Sequence, residues 1–282
     1  MMKVPFFNYP HVFTAQENEF SRILKDVGSR GAFIMQQDLQ NFEQRVADYC
    51  GSKYAVGVDN ATDGLQLGLM AGGVEVGDEI IICSHTMIAT ASAIHFAGAI
   101  PVPVEVGSDH TIDPDAIAGS ITPKTRAIIP TQLNGRTADM AAIQSIADQY
   151  GLDIYEDAAQ ALGAKFKGQY AGTFGKAACI SFYPAKILGC LGDGGLVLTS
   201  DREIYDKLLL LRDHGRANDG DIPLWGFNTR LDNLQAAFLN FQFDNYDQVI
   251  KRRREIAAQY QEFLKDVDQI QLPPDPDANS DY

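Results

Sequence analysis

The chain alternates short apolar runs with longer stretches in which apolar residues recur every three to four positions. YAVGVD (54–59), EIIICS (79–84), AIPVPVEV (99–106), RAIIPTQ (126–132), LDIYEDA (152–158), ACISFYP (178–184) and GGLVLTS (194–200) have strand length and are rich in Ile and Val. Such runs read as buried strands. Helical patterns separate several of them: LQLGLMAGG (65–73), HTMIATASAIHFAG (85–98), ADMAAIQSIADQYG (138–151) and DREIYDKLLLLRDHG (201–215). Near the N-terminus, Thr14 followed by Glu17 reads as a capping box that opens an amphipathic helix. DLQNFEQRVADYC (38–50) reads as a second helix. Strands alternating with helices predict an α/β fold with a mostly parallel sheet covered on both faces.

From Leu231 to about Val267 the pattern is helical throughout. This places a boundary at residue 230, with a large domain over 1–230 and the start of a smaller one over 231–282. QLPPDPDANSDY (271–282), rich in Pro and Asp, reads as a connector, so the smaller domain is expected to be incomplete.

Composition narrows the function classes. Over 282 residues, 45% apolar and 21% charged content is ordinary for a globular enzyme. The formal net charge of −14 argues against nucleic-acid binding, which Lys and Arg drive. Arg252, Arg253 and Arg254 form a basic run among acidic residues and read as a solvated helix face. Cys50, Cys83, Cys179 and Cys190 make no CxxC pair, no disulfide framework and no zinc spacing. They fit a reducing cytoplasm. Neither a signal peptide nor the run of roughly 20 apolar residues that spans a membrane is expected.

Candidate chemistry gathers at strand ends, where open α/β sheets bind ligands. Asn60-Ala61-Thr62-Asp63-Gly64 lies between a strand and a helix. It reads as an anion cradle of backbone N–H groups with a Thr hydroxyl, or as an ordinary helix cap. Asp157 ends an apolar strand, either as a turn residue or as the partner of a cation, with Gln160 three residues on. Ser181 and Lys186 sit in SFYPAKILGC. Lys186 is either a snorkelling surface lysine or a partly desolvated amine of depressed pKa that attacks a carbonyl. Gly189, Gly192, Gly194 and Gly195 suggest a tight turn with close backbone approach and match no dinucleotide fingerprint. A phosphate cradle, an acid for a pyridinium nitrogen and a lysine for an aldehyde are together what pyridoxal 5'-phosphate requires of a protein.

TDGLQLGL, SHTMIATASAI, EDAAQALGA, SFYPAKILGCLGDGG and GFNTRLDNLQAA, in that order, resemble the DegT/DnrJ/EryC1/StrS family of sugar aminotransferases. The resemblance runs from about Phe33 to Tyr260. It implies the aspartate-aminotransferase fold (pyridoxal-phosphate fold type I) with a seven-stranded sheet and a smaller C-terminal domain. It implies Lys186 as the Schiff-base lysine and proton shuttle, Asp157 against the pyridinium nitrogen, and Gln160 on the ring's O3′. Ala61, Thr62, Asp63 and Ser181 would hold the phosphate. Asn228 would reach the phosphate of a neighbouring subunit, which implies a homodimer with shared sites. Arg230 would take an anionic part of the substrate. Met87 departs from the family's usual ring-stacking aromatic, though a thioether also packs on an aromatic face. His85 is either a substitute for it toward ligand or a partly buried, satisfied histidine.

The resemblance implies transfer of an amino group from L-glutamate to a nucleotide-linked keto sugar, for surface polysaccharide or antibiotic synthesis. Family members that dehydrate a keto-deoxy sugar carry His at the Schiff-base position, and Lys186 argues against that. The alternatives are a keto-cyclitol aminotransferase and a non-catalytic regulator of the same fold. A nicotinamide-dependent oxidoreductase lacks its GxGxxG.

Overall fold

The computed structural model describes residues 4–273 and 280–281. The chain opens with helices α1 (Tyr9–Thr14), α2 (Glu17–Arg30) and α3 (Gln37–Cys50). Strand β1 (Tyr54–Val58) then leads to α4 (Ala61–Ala71), β2 (Glu79–Cys83) to α5 (Ile88–Phe96), and β3 (Ile100–Val104) to α6 (Pro114–Ala118). Next, β4 (Thr125–Ile129) leads to α7 (Met140–Tyr150), and β5 (Asp153–Asp157) to a short hairpin of β6 (Lys165–Phe166) and β7 (Gln169–Tyr170). The chain continues through β8 (Ala177–Ser181), β9 (Gly195–Thr199), α8 (Arg202–Arg212), α9 (Asn233–Phe243) and α10 (Tyr246–Leu264). A short β10 (Ser280–Asp281) pairs with β6.

All seven apolar runs become strands of one sheet, in the order β1-β9-β8-β5-β4-β2-β3. Alternate side chains divide between its two faces, as the period of two requires. Ile80 and Ile82 join Val197 and Cys179 in a core under α4, α5 and α8. Ile81, between them, points the other way and packs with Ile128, Ile143 and Ile154. Leu196 and Leu198 likewise face α3 and α9 through Phe42 and Leu239. Burial on both faces explains why the runs are apolar throughout rather than alternating.

β9 runs antiparallel to both neighbours, β1 and β8, while the other pairs are parallel. Its first residue, Gly195, therefore lies beside the last residues of β1 and β8, Val58 and Ser181. This gathers the carboxyl ends of the parallel strands and the Gly194–Gly195 turn at one edge.

One local expectation changes. Thr14 does not open a helix; it ends α1, and its hydroxyl donates to the His11 carbonyl at 3.4 Å. A separate short helix precedes the amphipathic one, with the Asn8 side chain capping His11 N–H and Pro10 in the first turn. α2 begins at Glu17 after Gln16, which makes no side-chain cap. Side chains on both sides of the expected boundary at residue 230 share a core. Leu231, Ala236, Leu239 and Tyr246 share one cluster with Leu39, Phe42 and Ile180. The connector expected at 271–282 lies largely outside the described residues.

Candidate active site

One cavity of about 530 Å³ opens at the edge where the strands end. The structure brings Ala61, Thr62, Asp63, Met87, Asp157, Gln160, Ser181 and Lys186 to its wall, from four separate segments of the chain. His85, Asn228 and Arg230 are absent from that wall.

The N-terminus of α4 borders the cavity. Asn60 caps it, its side chain accepting from Asp63 N–H at 2.8 Å. The N–H groups of Ala61 and Thr62 precede the helix's own hydrogen-bond ladder and carry the positive end of its dipole. Gly195 makes this placement possible: a Cβ there would stand 2.4 Å from the Asn60 carbonyl carbon and 2.7 Å from Ala61 N. Under the same turn, the Asp59 carboxylate takes the Thr229 hydroxyl and the Asn60 amide. Burial, aided by nearby Asp63, pushes Asp59 up to about 6.

Asp157 is buried, 7% exposed. Its Oδ2 accepts the Thr90 hydroxyl at 2.6 Å, and its Oδ1 accepts Ala159 N–H at 3.2 Å and the Cys179 thiol at 3.7 Å. The backbone is tied on both sides, with Asp157 N–H on the Pro130 carbonyl and Gln132 N–H on that of Asp157. Burial and the adjacent Asp157 charge hold the Cys179 thiol well above the ordinary range.

Lys186 is half-buried, and burial lowers its pKa, with the Asp157 charge acting in the opposite sense. It follows a turn in which Lys186 N–H bonds the Tyr183 carbonyl. Gln160 Oε1 accepts Asn134 N–H at 2.9 Å, which directs the two protons of its amide elsewhere. Met87 is 62% exposed and stands at the N-terminus of α5, its sulfur 3.1 Å from Ala89 N.

Three expected residues lie elsewhere. His85 is exposed rather than partly buried, with Nδ1 3.3 Å from the His110 carbonyl. Arg230 pairs with Asp213 at 2.7 Å. Asn228 is exposed and bridges backbone to backbone with Asp213. The basic run at 252–254 is exposed, as expected of a solvated face. Arg252 pairs with Glu255, and Arg253 also borders an adjoining cavity of about 370 Å³ with Phe6, Phe7, Gln160 and Lys186.

Thr86, Thr90, Thr131, Cys179, Tyr183 and Asp193 also line the main cavity, and sequence reasoning did not single them out as site residues. Cys179 was legible in principle, two residues before Ser181 on the same strand face. Thr86 and Thr90 stand four apart in an otherwise apolar segment, the spacing of two side chains on one helix face.

The DegT/DnrJ/EryC1/StrS aminotransferase family model matches residues 14–282. The chain belongs to this family. The dTDP-3-amino-3,4,6-trideoxy-alpha-D-glucose transaminase of Streptomyces venezuelae is similar, 41% identical over 272 residues that cover 96% of this chain and 72% of the relative. The crystal structure of S. venezuelae DesV superposes with a TM-score of 0.95 at 40% identity, covering all of this chain and 76% of that one. NtdA from Bacillus subtilis, solved with bound cofactor PMP, has a TM-score of 0.90 at 31% identity, covering 97% of this chain and 64% of that one. The mostly parallel seven-stranded sheet is thus the sheet of this DegT/DnrJ/EryC1/StrS aminotransferase fold.

Proposed function

We propose that this aminotransferase uses pyridoxal 5'-phosphate to move an amino group from L-glutamate to a nucleotide-linked keto sugar. The observation that carries the reading is the convergence in one cavity of a lysine whose pKa burial lowers, a fixed carboxylate and a helix N-terminus. The residues fit the cofactor: an aldehyde needs an uncharged amine, a pyridinium needs an anion, and a phosphate needs N–H donors. The names of the similar transaminases support the sugar-nucleotide acceptor.

When bound, the cofactor supplies an aldehyde that takes up amino groups and a protonated ring that draws electrons from the reacting carbon. The rest falls to the chain. Lys186 Nζ, made less basic by burial, takes a proton from the amino-bearing carbon and returns one. Asp157 balances the ring nitrogen's charge. Ala61 and Thr62 N–H groups, with the Thr62 and Ser181 hydroxyls, hold the phosphate beside Asp63. Gln160 would donate from its amide to the ring hydroxyl, and Met87 would pack on the ring face. Over two half-reactions, glutamate leaves as 2-oxoglutarate, and the sugar's carbonyl becomes an amine.

A homodimer supplies the remaining phosphate contact. Asn228 is exposed beside Trp225, which is 94% exposed, and Phe227. An apolar segment of this kind suits burial against a second copy. Four free, buried thiols fit a reducing compartment, and we place the enzyme in the cytoplasm. Among the described residues, no helix is long and apolar enough to cross a membrane.

The test is borohydride reduction after incubation with pyridoxal phosphate, then peptide mapping. A pyridoxyl group on Lys186 supports the cofactor and its site; an unmodified Lys186 rejects both. L-Glutamate should then release one 2-oxoglutarate per site, and the amine should pass to dTDP- or UDP-linked keto sugars. Consumption of a keto sugar without any amino donor would reject transamination.

A further inference from the structure

The hydrogen bonds on the inner side of Asp157 have a direction. Thr90 is wholly buried, and its single hydroxyl proton goes to Asp157 Oδ2 at 2.6 Å. A hydroxyl has one proton to give and two lone pairs to accept with. The Thr86–Thr90 contact of 2.8 Å is therefore one in which Thr86 donates. Thr86 has then used its own proton, and the next contact obeys the same rule: Thr131 donates to Thr86 at 3.0 Å. Three hydroxyls from three segments point their protons one way, from Thr131 through Thr86 and Thr90 onto Asp157. Those segments are the chain just after β4, the loop after β2 and the first turn of α5. Each donor in such a chain polarises the next, and the bond at its end is strengthened.

The geometry points to a threonine relay, with Thr90 as the positioning residue, that fixes the Asp157 carboxylate and so sets the protonation of the ring nitrogen opposite it. The inference rests on the pyridoxal-phosphate reading above. Carboxylate torsions are soft. Here Thr90 clamps Oδ2 while Ala159 N–H and the Cys179 thiol hold Oδ1. The carboxylate is left one orientation toward the cavity. Thr86, Thr90 and Thr131 also border the cavity, but the hydroxyl protons they carry are spent along the chain that ends on Asp157, which makes them positioning residues.

The experiment uses the full chain loaded with ¹⁵N-ring-labelled pyridoxal phosphate. The ring nitrogen's NMR shift separates pyridinium from neutral pyridine and does not require turnover. Thr90→Val removes the hydroxyl at nearly constant shape, and Thr90→Ser keeps it. Wild type and T90S should show the protonated shift over the same pH range. T90V should move toward neutral pyridine and bind the cofactor roughly tenfold more weakly, the scale of one lost hydrogen bond to a charged group. Thr86→Val, one link further out, should move the shift the same way by less, and serves if T90V does not fold. A wild-type shift and affinity in folded T90V or T86V would overturn the relay while leaving the cofactor reading intact. Failure of the wild type to take up pyridoxal phosphate would overturn the cofactor reading, and the relay with it.

Discussion

Lys186 and Asp157 face one cavity, and the Asp157 charge opposes the fall that burial imposes on the lysine's pKa. Removing that charge should let burial act alone. Asp157→Asn is expected to move the midpoint of Lys186 acylation to lower pH in the cofactor-free protein, read by mass spectrometry. An unchanged midpoint would mean that the two groups are not electrostatically linked.

The same burial makes Lys186 a liability to the cofactor-free fold. A lysine whose folded pKa lies below its unfolded value holds fewer protons when folded, so stability rises with pH between the two values. Lys186→Met should stabilise the apo-protein at neutral pH by about 1 kcal/mol or less, because the half-buried amine is still partly screened by solvent. The gain should fade as pH approaches 10.5, the lysine's ordinary value. Urea denaturation at pH 7 and pH 10 checks both statements. Activity should be lost in the same variant.

Glu156, next to Asp157, is fully buried and serves structure rather than the cavity. Its carboxylate accepts Gln132 Nε2 at 2.8 Å and the N–H groups of Gly172, Phe174 and Gly175 at 2.9, 2.7 and 3.3 Å. Gln132 in turn accepts Ala138 N–H at 2.8 Å. Glu156→Ala would leave several buried donors unpaired and should cost about 3 kcal/mol or more. A loss below about 1 kcal/mol in urea unfolding would show that the 171–175 loop finds other acceptors.

Asp59 should make stability depend on pH in the acid range. Its folded value near 6 exceeds its ordinary 3.8, so the folded state binds the proton more tightly and loses stability as pH rises through that window. Asp59→Asn keeps an acceptor for Thr229 and removes the charge. It should gain about 1 kcal/mol or less above pH 6, because the site is half open to solvent, and nothing below 3.8. Thermal melts of the two proteins at pH 4 and pH 7.5 measure the difference.

Gly195→Ala tests the fit between β9 and α4. A methyl 2.4 Å from the Asn60 carbonyl carbon must displace backbone on one side or the other. Overpacking of this kind costs about 1–3 kcal/mol. The α4 N-terminus should shift with it, weakening pyridoxal-phosphate uptake more than the fall in melting temperature alone would explain. Equilibrium dialysis at a temperature where both proteins are folded separates the two effects.

The sequence by itself determined the seven strands of the main sheet and the helices between several of them, and its motifs named eight residues that the structure places on one cavity. Apolar runs of strand length identify a buried sheet because that signal is local, and motif order brings Thr62, Asp157, Ser181 and Lys186 into one argument. Three other things depend on tertiary structure. β9 reverses direction, because pairing partners are not encoded in a strand's own residues. The chain ends α1 at Thr14, so the amphipathic helix α2 opens only at Glu17, without a side-chain cap. The threonine relay was invisible because Thr131 lies 41 and 45 positions from Thr90 and Thr86, and only the packing of β4 against β2 and β5 brings them together. Hydrophobic periodicity reports which face of an element is buried. It carries no information on which buried hydroxyl meets which carboxylate, and that is decided where the strand ends converge.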